Sequence, residues 1–128
     1  MYYLSKTIED GDYDATVEEV RGLLAEQGFG VLTEIEVQAT LREKLGEEME
    51  PYLILGACNP PFAHRAITAE PQIGVLLPCN VVVRVDAGDV IVEAMDPSAV
   101  LSLVDSPGVA EVAAEVRGRL AAVIEAVG

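Results

Sequence analysis

The alternation of hydrophobic and polar positions along the chain predicts a mixture of strands and helices. Residues 2–8 alternate as a strand, and from Tyr13 to Gln27 the apolar positions recur at helical spacing. Asp12 stands where an N-cap carboxylate accepts a bond from a free backbone N–H, and Gly28 supplies the stop at the other end. The chain therefore begins with a strand followed by an amphipathic helix.

The following segment predicts a second strand and a short helical connector. One side of the predicted strand carries Val31, Thr33, Ile35 and Val37, and the other side carries Glu34 and Glu36. Leu41, Leu45 and Met49 then repeat every four residues, which indicates a helix. Thr40 and Glu43 match a capping box at its start.

A continuous apolar run in the middle of the chain predicts a strand inside the sheet. It extends from Tyr52 to Ala57, and Gly56 within it marks a bulge or a close backbone approach. Asn59 and Pro60 have the residue types of an N-cap and first helical position, and Pro71 ends the short helix that they begin.

The second half predicts a meander of strands and then two helices. The β-rich segments are Ile73–Leu77, Val81–Val85 and Val90–Met95. Asp86–Asp89 is a hairpin turn, Asp96 caps a short helix, and Ser106 opens a long one with a clean apolar stripe. The predicted fold class is α+β, with a mostly antiparallel sheet and the long helices on one face.

Composition sets the size of the core and excludes several partners. The chain of 128 residues is 51% hydrophobic, so we expect one domain over 1–128 that folds without metals or disulfides. It carries 22 acidic against 8 basic residues, a net charge of −14. This charge disfavours nucleic acid and anionic membrane surfaces as partners, because both are bound through Lys and Arg.

The sequence also predicts a soluble, cytoplasmic protein. No apolar run approaches the roughly 20 residues that span a bilayer, and residues 1–6 lack the pattern of a signal peptide. In a reducing compartment, the two cysteines are expected as free thiols rather than as a structural disulfide.

The candidate site consists of two similar tripeptides that hold both cysteines. Cys58 and Asn59 end one apolar run, and Cys79 and Asn80 begin another after Pro78. If Asn59 caps a helix, the Cys58 thiol lies near the helix N-terminus, where positive partial charge favours a thiolate. We expect the two cysteines to approach each other if their strands are neighbours.

Several interpretations of this cluster remain open. The two thiols can cycle between dithiol and disulfide, or bind a soft metal such as zinc together with His64. The thiols, the amides of Asn59 and Asn80 and the free helix N–H groups can instead line a pocket for a small polar or anionic ligand. Both cysteines can also be buried packing residues without chemistry, and Asn59 a simple helix cap.

The chain also resembles a known family. Tyr52-Leu53-Ile54-Leu55-Gly56-Ala57-Cys58-Asn59-Pro60, Gly74-Val75-Leu76-Leu77-Pro78-Cys79-Asn80-Val81 and Gly28-Phe29-Gly30-Val31-Leu32-Thr33-Glu34-Ile35 are similar to segments of the domain of unknown function 302 family. The resemblance implies a two-layer α+β sandwich of β-α-β(4)-α type, with helices packed on a curved antiparallel sheet. It also implies a homodimer, and it implies no reaction.

The sequence therefore favours binding over catalysis. We expect a small dimeric domain that meets a small ligand or a partner around Cys58, Asn59, His64, Cys79 and Asn80. The alternative is a thiol-based redox or soft-metal-binding protein that uses Cys58 and Cys79. The pattern assigns no catalytic residue, no metal site and no cofactor.

Overall fold

Five antiparallel strands form one sheet in the computed structural model, which describes residues 1–128. The strands are β1 (Tyr3–Ile8), β2 (Gly30–Glu36), β3 (Tyr52–Cys58), β4 (Cys79–Asp86) and β5 (Asp89–Met95). The helices are α1 (Tyr13–Glu26), α2 (Val37–Leu45), α3 (Pro60–Ala69), α4 (Pro97–Val100) and α5 (Pro107–Ala126). Short 3-10 helices occupy Pro71–Leu76 and Leu101–Leu103.

The spatial order of the strands is β1-β5-β4-β3-β2, so the first strand of the chain pairs with the last. Ile8 lies opposite Val90, and Tyr3 lies opposite Met95. The chain follows the expected β-α-β(4)-α order, with α2, α3 and α4 as short helices within the connections. The predicted α+β sandwich is confirmed.

One face of the sheet is buried under the long helices α1 and α5, which pack on each other and on the strands. Every second residue of the inner strands points into this layer, as the two-residue period of a strand requires. The buried hydrophobic strand residues are Leu53, Leu55, Ala57, Cys79, Val81, Val83, Val90, Val92 and Ala94. The long helices add Val17, Val20, Leu24, Val109, Val112, Val116, Leu120 and Val123.

Side-chain caps fix where the helices begin. Asp12 Oδ1 accepts a hydrogen bond from the Ala15 backbone N–H at 2.9 Å, at the start of α1. Asp96 caps α4, and its second carboxylate oxygen accepts from Arg117 Nε at 3.0 Å. Each such cap stabilises its helix by about 1 kcal/mol, because it satisfies an N–H that the helix leaves free.

Several sequence predictions about local structure are wrong, among them Met49 as part of the connector helix, since α2 ends at Leu45. The segment Ile73–Leu77 is not a strand, since Pro71–Leu76 form a 3-10 helix in which Ile73 is buried and Val75 is 87% exposed. Short apolar runs do not distinguish strand from helix, and here Pro71 starts the helical turn.

Two further errors concern the start of α2 and the register of β2. Thr40 does not cap α2, because Glu36 is the N-cap and Val37 already belongs to the helix. Val31 and Thr33 do not share a face either, since the register with β3 shifts between them at a β-bulge.

The second face of the sheet carries neither long helix, and α2 contacts mainly β2 and β3. A groove on this open face is lined by Tyr2, Tyr3, Tyr52, Asn80, Val82, Arg84, Glu93, Ala94 and Met95. Arg84 Nε and Glu93 Oε1 form an ion pair across β4 and β5 at 2.7 Å. No helix is both long enough and apolar enough to cross a membrane.

Candidate functional site

The two cysteine segments meet because β3 and β4 are antiparallel neighbours. Ala57 lies opposite Cys79, and Gly56 lies opposite Asn80. The end of β3 therefore adjoins the start of β4, and Cys58 and Cys79 lie at the same rim of the sheet. Two residues far apart in the sequence come together through strand register alone.

Cys58 and Cys79 are both free thiols with different surroundings. Cys79 belongs to the hydrophobic core, whereas Cys58 is half-buried. Burial raises the pKa of the Cys79 thiol from 9.0 to about 11, and the neighbouring Cys58 adds to this rise. The Cys79 thiol is therefore held in its protonated form at neutral pH, which opposes its use as a nucleophile.

Asn59 occupies the N-cap position of α3, but its side chain does not cap the helix. Its Nδ2 donates instead to the backbone carbonyl of Gln27 at 3.0 Å, just beyond the end of α1. The same carbonyl accepts from Arg119 Nη1 at 3.1 Å. Asn59 is therefore at the predicted N-cap position, but the prediction that its side chain caps the helix is wrong. The buried amide instead joins α1, α3 and α5 at one point.

The remaining two candidate residues lie elsewhere. Asn80 is exposed and lines the groove on the open face, opposite to the side on which its neighbour Cys79 is buried. His64 is exposed on α3, where its backbone carbonyl accepts a hydrogen bond from Thr68 Oγ1 at 2.7 Å. The structure thus brings together Cys58, Asn59 and Cys79 and leaves His64 and Asn80 apart from them.

These three residues border a cavity of about 310 Å³ between the end of the sheet, α3 and α5. Its walls are almost entirely apolar and include Phe29, Leu32, Ala57, Phe62, Ala63, Ala66, Ile67, Leu77, Pro78, Leu101, Val112 and Val116. The cavity is half-open to solvent, and water inside it finds few partners, because its walls offer almost no polar atoms. The cavity is suited to an apolar ligand.

Gly56 is required where β3 passes under this site. A Cβ at this position would meet the Thr33 hydroxyl and lie 2.9 Å from Cγ of Pro78. The sequence left open a bulge or a close approach at this glycine, and the structure shows a close approach. The bulge lies on the neighbouring strand, between Val31 and Thr33.

No three side chains among His, Cys, Asp and Glu are grouped so that they could hold a metal ion. The hypothesis of a zinc site from Cys58, Cys79 and His64 therefore lacks its third ligand, because the histidine is exposed on α3. Two thiols at one rim remain, without a partner that would complete a tetrahedral site.

Sequence reasoning missed the aromatic and basic residues beside the cavity. The Phe62 ring lies near two guanidinium groups, with its centroid 5.1 Å from Arg119 Cζ and 5.7 Å from Arg65 Cζ. Phe62 and Arg65 share a short helix, but Arg119 comes from α5. No spacing in the sequence indicates that α3 and α5 pack together at this point.

Comparisons with known proteins agree on one family. The family model described as domain of unknown function DUF302 matches residues 4–127. The chain is also similar to the crystal structure of an uncharacterized conserved protein DUF302 from Bacillus stearothermophilus. The two are 30% identical, with a TM-score of 0.90 over 98% of this chain and 97% of that chain. No curated protein matches.

Proposed function

The chain belongs to the family of domain of unknown function DUF302, whose name assigns no reaction, and on this premise we propose that it binds a small apolar ligand. The ligand occupies the cavity between the sheet rim, α3 and α5. Cys58, Asn59 and Cys79 provide the few polar atoms of its wall. The observation that carries this proposal is the apolar cavity of about 310 Å³.

The size and chemistry of the cavity support a ligand rather than a packing defect. Ligand pockets are typically ~300–1,000 Å³, mostly apolar and bordered by a few polar groups. A water molecule's share of liquid volume is about 30 Å³, so a space of this size accepts roughly ten non-hydrogen atoms. Burying that many apolar atoms is favourable, because it removes their surface from water.

The thiol-based alternative has less support. A redox pair needs a reactive thiolate, and burial raises the pKa of Cys79 to about 11. The position of Cys58 and Cys79 at the same rim of the sheet is the one observation in its favour. Titration of both thiols with and without an oxidant tests it, and a disulfide that forms readily between Cys58 and Cys79 would favour it.

A neutral probe tests the binding proposal. Decan-1-ol added to the protein should shift the NMR signals of methyl groups that line the cavity, such as those of Ala63, Val112 and Val116. Ala63→Leu fills part of the space and should weaken binding about tenfold or more, because apolar atoms then compete for the same volume.

The matched control places the same substitution on an exposed helix position. Ala39→Leu lies on α2, away from the cavity, and should bind decan-1-ol as the wild type does. Shifts spread evenly over the protein, or no loss of binding in Ala63→Leu, would refute the cavity as the site.

We also propose that the partner on the open sheet face is a second copy of the chain. A net charge of −14 makes two copies repel each other over most of their surface. In the open-face groove, the only charged residues are Arg84 and Glu93, which already neutralise each other. This groove, with its tyrosines, Val82 and Met95, supports close approach of two copies without like-charge repulsion.

The oligomeric state tests this part of the proposal. Val82→Glu places a charge at the centre of the groove and should convert a dimer to a monomer in light scattering coupled to gel filtration. The control Ala110→Glu adds the same charge on the exposed side of α5 and should leave the dimer intact. A monomeric wild type, or a dimer unaffected by Val82→Glu, would contradict it.

A further inference from the structure

Phe62 separates the apolar cavity from a polar cleft on the protein surface. Its side chain lines both spaces. The cleft runs between the start of α3 and the exposed side of α5, and its other walls are Gln27, Arg65, Glu111, Ala114, Glu115, Gly118 and Arg119. A ligand that extends past the Phe62 ring therefore leaves an apolar space and enters a charged one.

Two guanidinium groups lie over Phe62 on the cleft side. Arg119 Cζ is 5.1 Å and Arg65 Cζ is 5.7 Å from the ring centroid, within the range of cation–π contacts. Neither group has a carboxylate oxygen within 4.0 Å, whereas Arg21, Arg42, Arg84 and Arg117 all form ion pairs. In a chain with 8 basic residues, two adjacent arginines without a carboxylate partner mark a place for an anion.

Arg119 also has a hydrogen-bond donor without a partner. Its Nη1 donates to the Gln27 carbonyl at 3.1 Å, but its Nε is buried and has no acceptor. Polar groups that are buried without a partner are uncommon in folded proteins, because each is costly. Because this Nε is closed to solvent, an anion beside Phe62 would bond to the Arg119 Nη groups instead, of which only Nη1 has a partner within the protein.

The acidic residues of the cleft limit which anions fit. Glu111 and Glu115 are exposed on α5, and neither reaches Arg65 or Arg119 within 4.0 Å. Together with the net charge of −14, they repel small, highly charged anions. Affinity must then come mainly from an apolar body, and a single negative charge adds specificity.

We infer that the ligand is an amphipathic monoanion, a carboxylate on an apolar chain or ring, with its body in the cavity and its carboxylate between Arg65 and Arg119. This inference rests on the proposed apolar-ligand function and adds the class of the head group. Arg suits the role because its planar, permanently charged fork donates two parallel bonds to a carboxylate.

Asn59 connects the two parts of this site. It borders the cavity, and its Nδ2 donates to the same Gln27 carbonyl that accepts from Arg119. The position of the Arg119 guanidinium is therefore fixed from the cavity side through one backbone oxygen. A ligand that fills both spaces meets a prearranged donor rather than a mobile surface side chain.

The test compares two probes of equal chain length by isothermal titration calorimetry at neutral pH. Decanoate should bind the full chain at least tenfold more tightly than decan-1-ol, because only decanoate bonds to the guanidinium groups. Arg65→Gln and Arg119→Gln should each reduce the preference for decanoate, with Arg119→Gln the stronger.

The control Lys44→Gln removes the same charge from the exposed α2 and should keep the preference for decanoate. Circular dichroism checks that the variants are folded, and Arg65→Gln carries the test if Arg119→Gln unfolds, since Arg65 is exposed.

The outcomes separate this inference from the proposal beneath it. Equal binding of both probes, or a preference for decanoate that Arg65→Gln leaves undiminished, would overturn the anion site and leave the apolar cavity as the binding site. Failure of both probes to bind would overturn the apolar-ligand function itself.

Discussion

The two Cys-Asn segments are nearly identical in sequence and opposite in structure. At the end of β3, Cys58 is half-buried and Asn59 is buried with its amide bonded to Gln27. At the start of β4, Cys79 is buried and Asn80 is exposed. The order of buried and accessible residues is therefore reversed between the two copies.

The reversal follows from where each segment lies relative to its strand. Cys79 and Asn80 are both inside β4, so successive side chains must point to opposite faces. Cys58 is the last residue of β3 and Asn59 precedes α3, so the backbone turns between them. Similar short motifs thus acquire different roles according to whether the chain continues straight or turns.

Gly56→Ala is expected to have the largest effect on this pair of segments. The added Cβ would collide with the Thr33 hydroxyl and with Pro78, which precedes Cys79. We expect the free energy of unfolding to fall by about 2–4 kcal/mol, because the Pro78 ring cannot rotate away from the new Cβ even where the exposed Thr33 side chain turns aside. Urea unfolding measures this change.

The control for this variant is Gly22→Ala in the interior of α1, where nothing lies within 4 Å of the new Cβ. It should stabilise the protein by ~0.5–1 kcal/mol, because alanine favours helix. Equal stability of Gly56→Ala and wild type would mean that the two segments are not held in close contact.

Alkaline pH should lower the stability of the folded protein through the buried Cys79 thiol. Its pKa is raised from 9.0 to about 11, so between these values the unfolded chain loses the proton while the folded chain keeps it. Stability then falls as pH rises, by about 2–3 kcal/mol, since each pKa unit corresponds to ~1.4 kcal/mol. Below pH 9.0 this loss is absent.

Comparison with Cys79→Ala isolates the thiol, because other groups such as Tyr13 titrate in both proteins. Urea unfolding of the two proteins below pH 9.0 and near pH 11 gives the difference. If the stability of the wild type relative to Cys79→Ala does not change with pH, the buried thiol is not the cause.

Substitutions of the two asparagines should change the stability least, and the two changes should differ clearly from each other. Asn59→Ala removes the hydrogen bond to the Gln27 carbonyl and leaves a small void, so we expect a loss of about 1–2 kcal/mol. Asn80→Ala alters an exposed side chain and should stay within ~0.5 kcal/mol. Equal losses in thermal unfolding would show that the amide of Asn59 has no special structural role.

Local chemistry made several elements predictable from the sequence. Asp12 as N-cap and Gly28 as helix stop needed only neighbouring residues, and both are found. The Asp86–Asp89 hairpin is also local, because Ala87 and Gly88 both adopt positive φ in a two-residue turn. The 3-10 helix at Pro71–Leu76 was missed because its apolar residues fit either structure.

The site was only partly predictable. The two-residue period of a strand already implies that Cys79 and Asn80 cannot both face one pocket. The bond from Asn59 to Gln27 and the position of Arg119 over Phe62 depend on how α1, α3 and α5 pack. Such contacts join residues far apart in sequence, and no spacing pattern records them.

The pairing of β1 with β5 has a consequence for synthesis of the chain. β1 leaves the ribosome before the other four strands of the sheet, and its only neighbour is the last of them. Until β5 emerges, β1 is an unpaired edge with free N–H and C=O groups that can pair with other nascent chains. We expect the newborn polypeptide to depend on chaperones during translation more than its small size suggests.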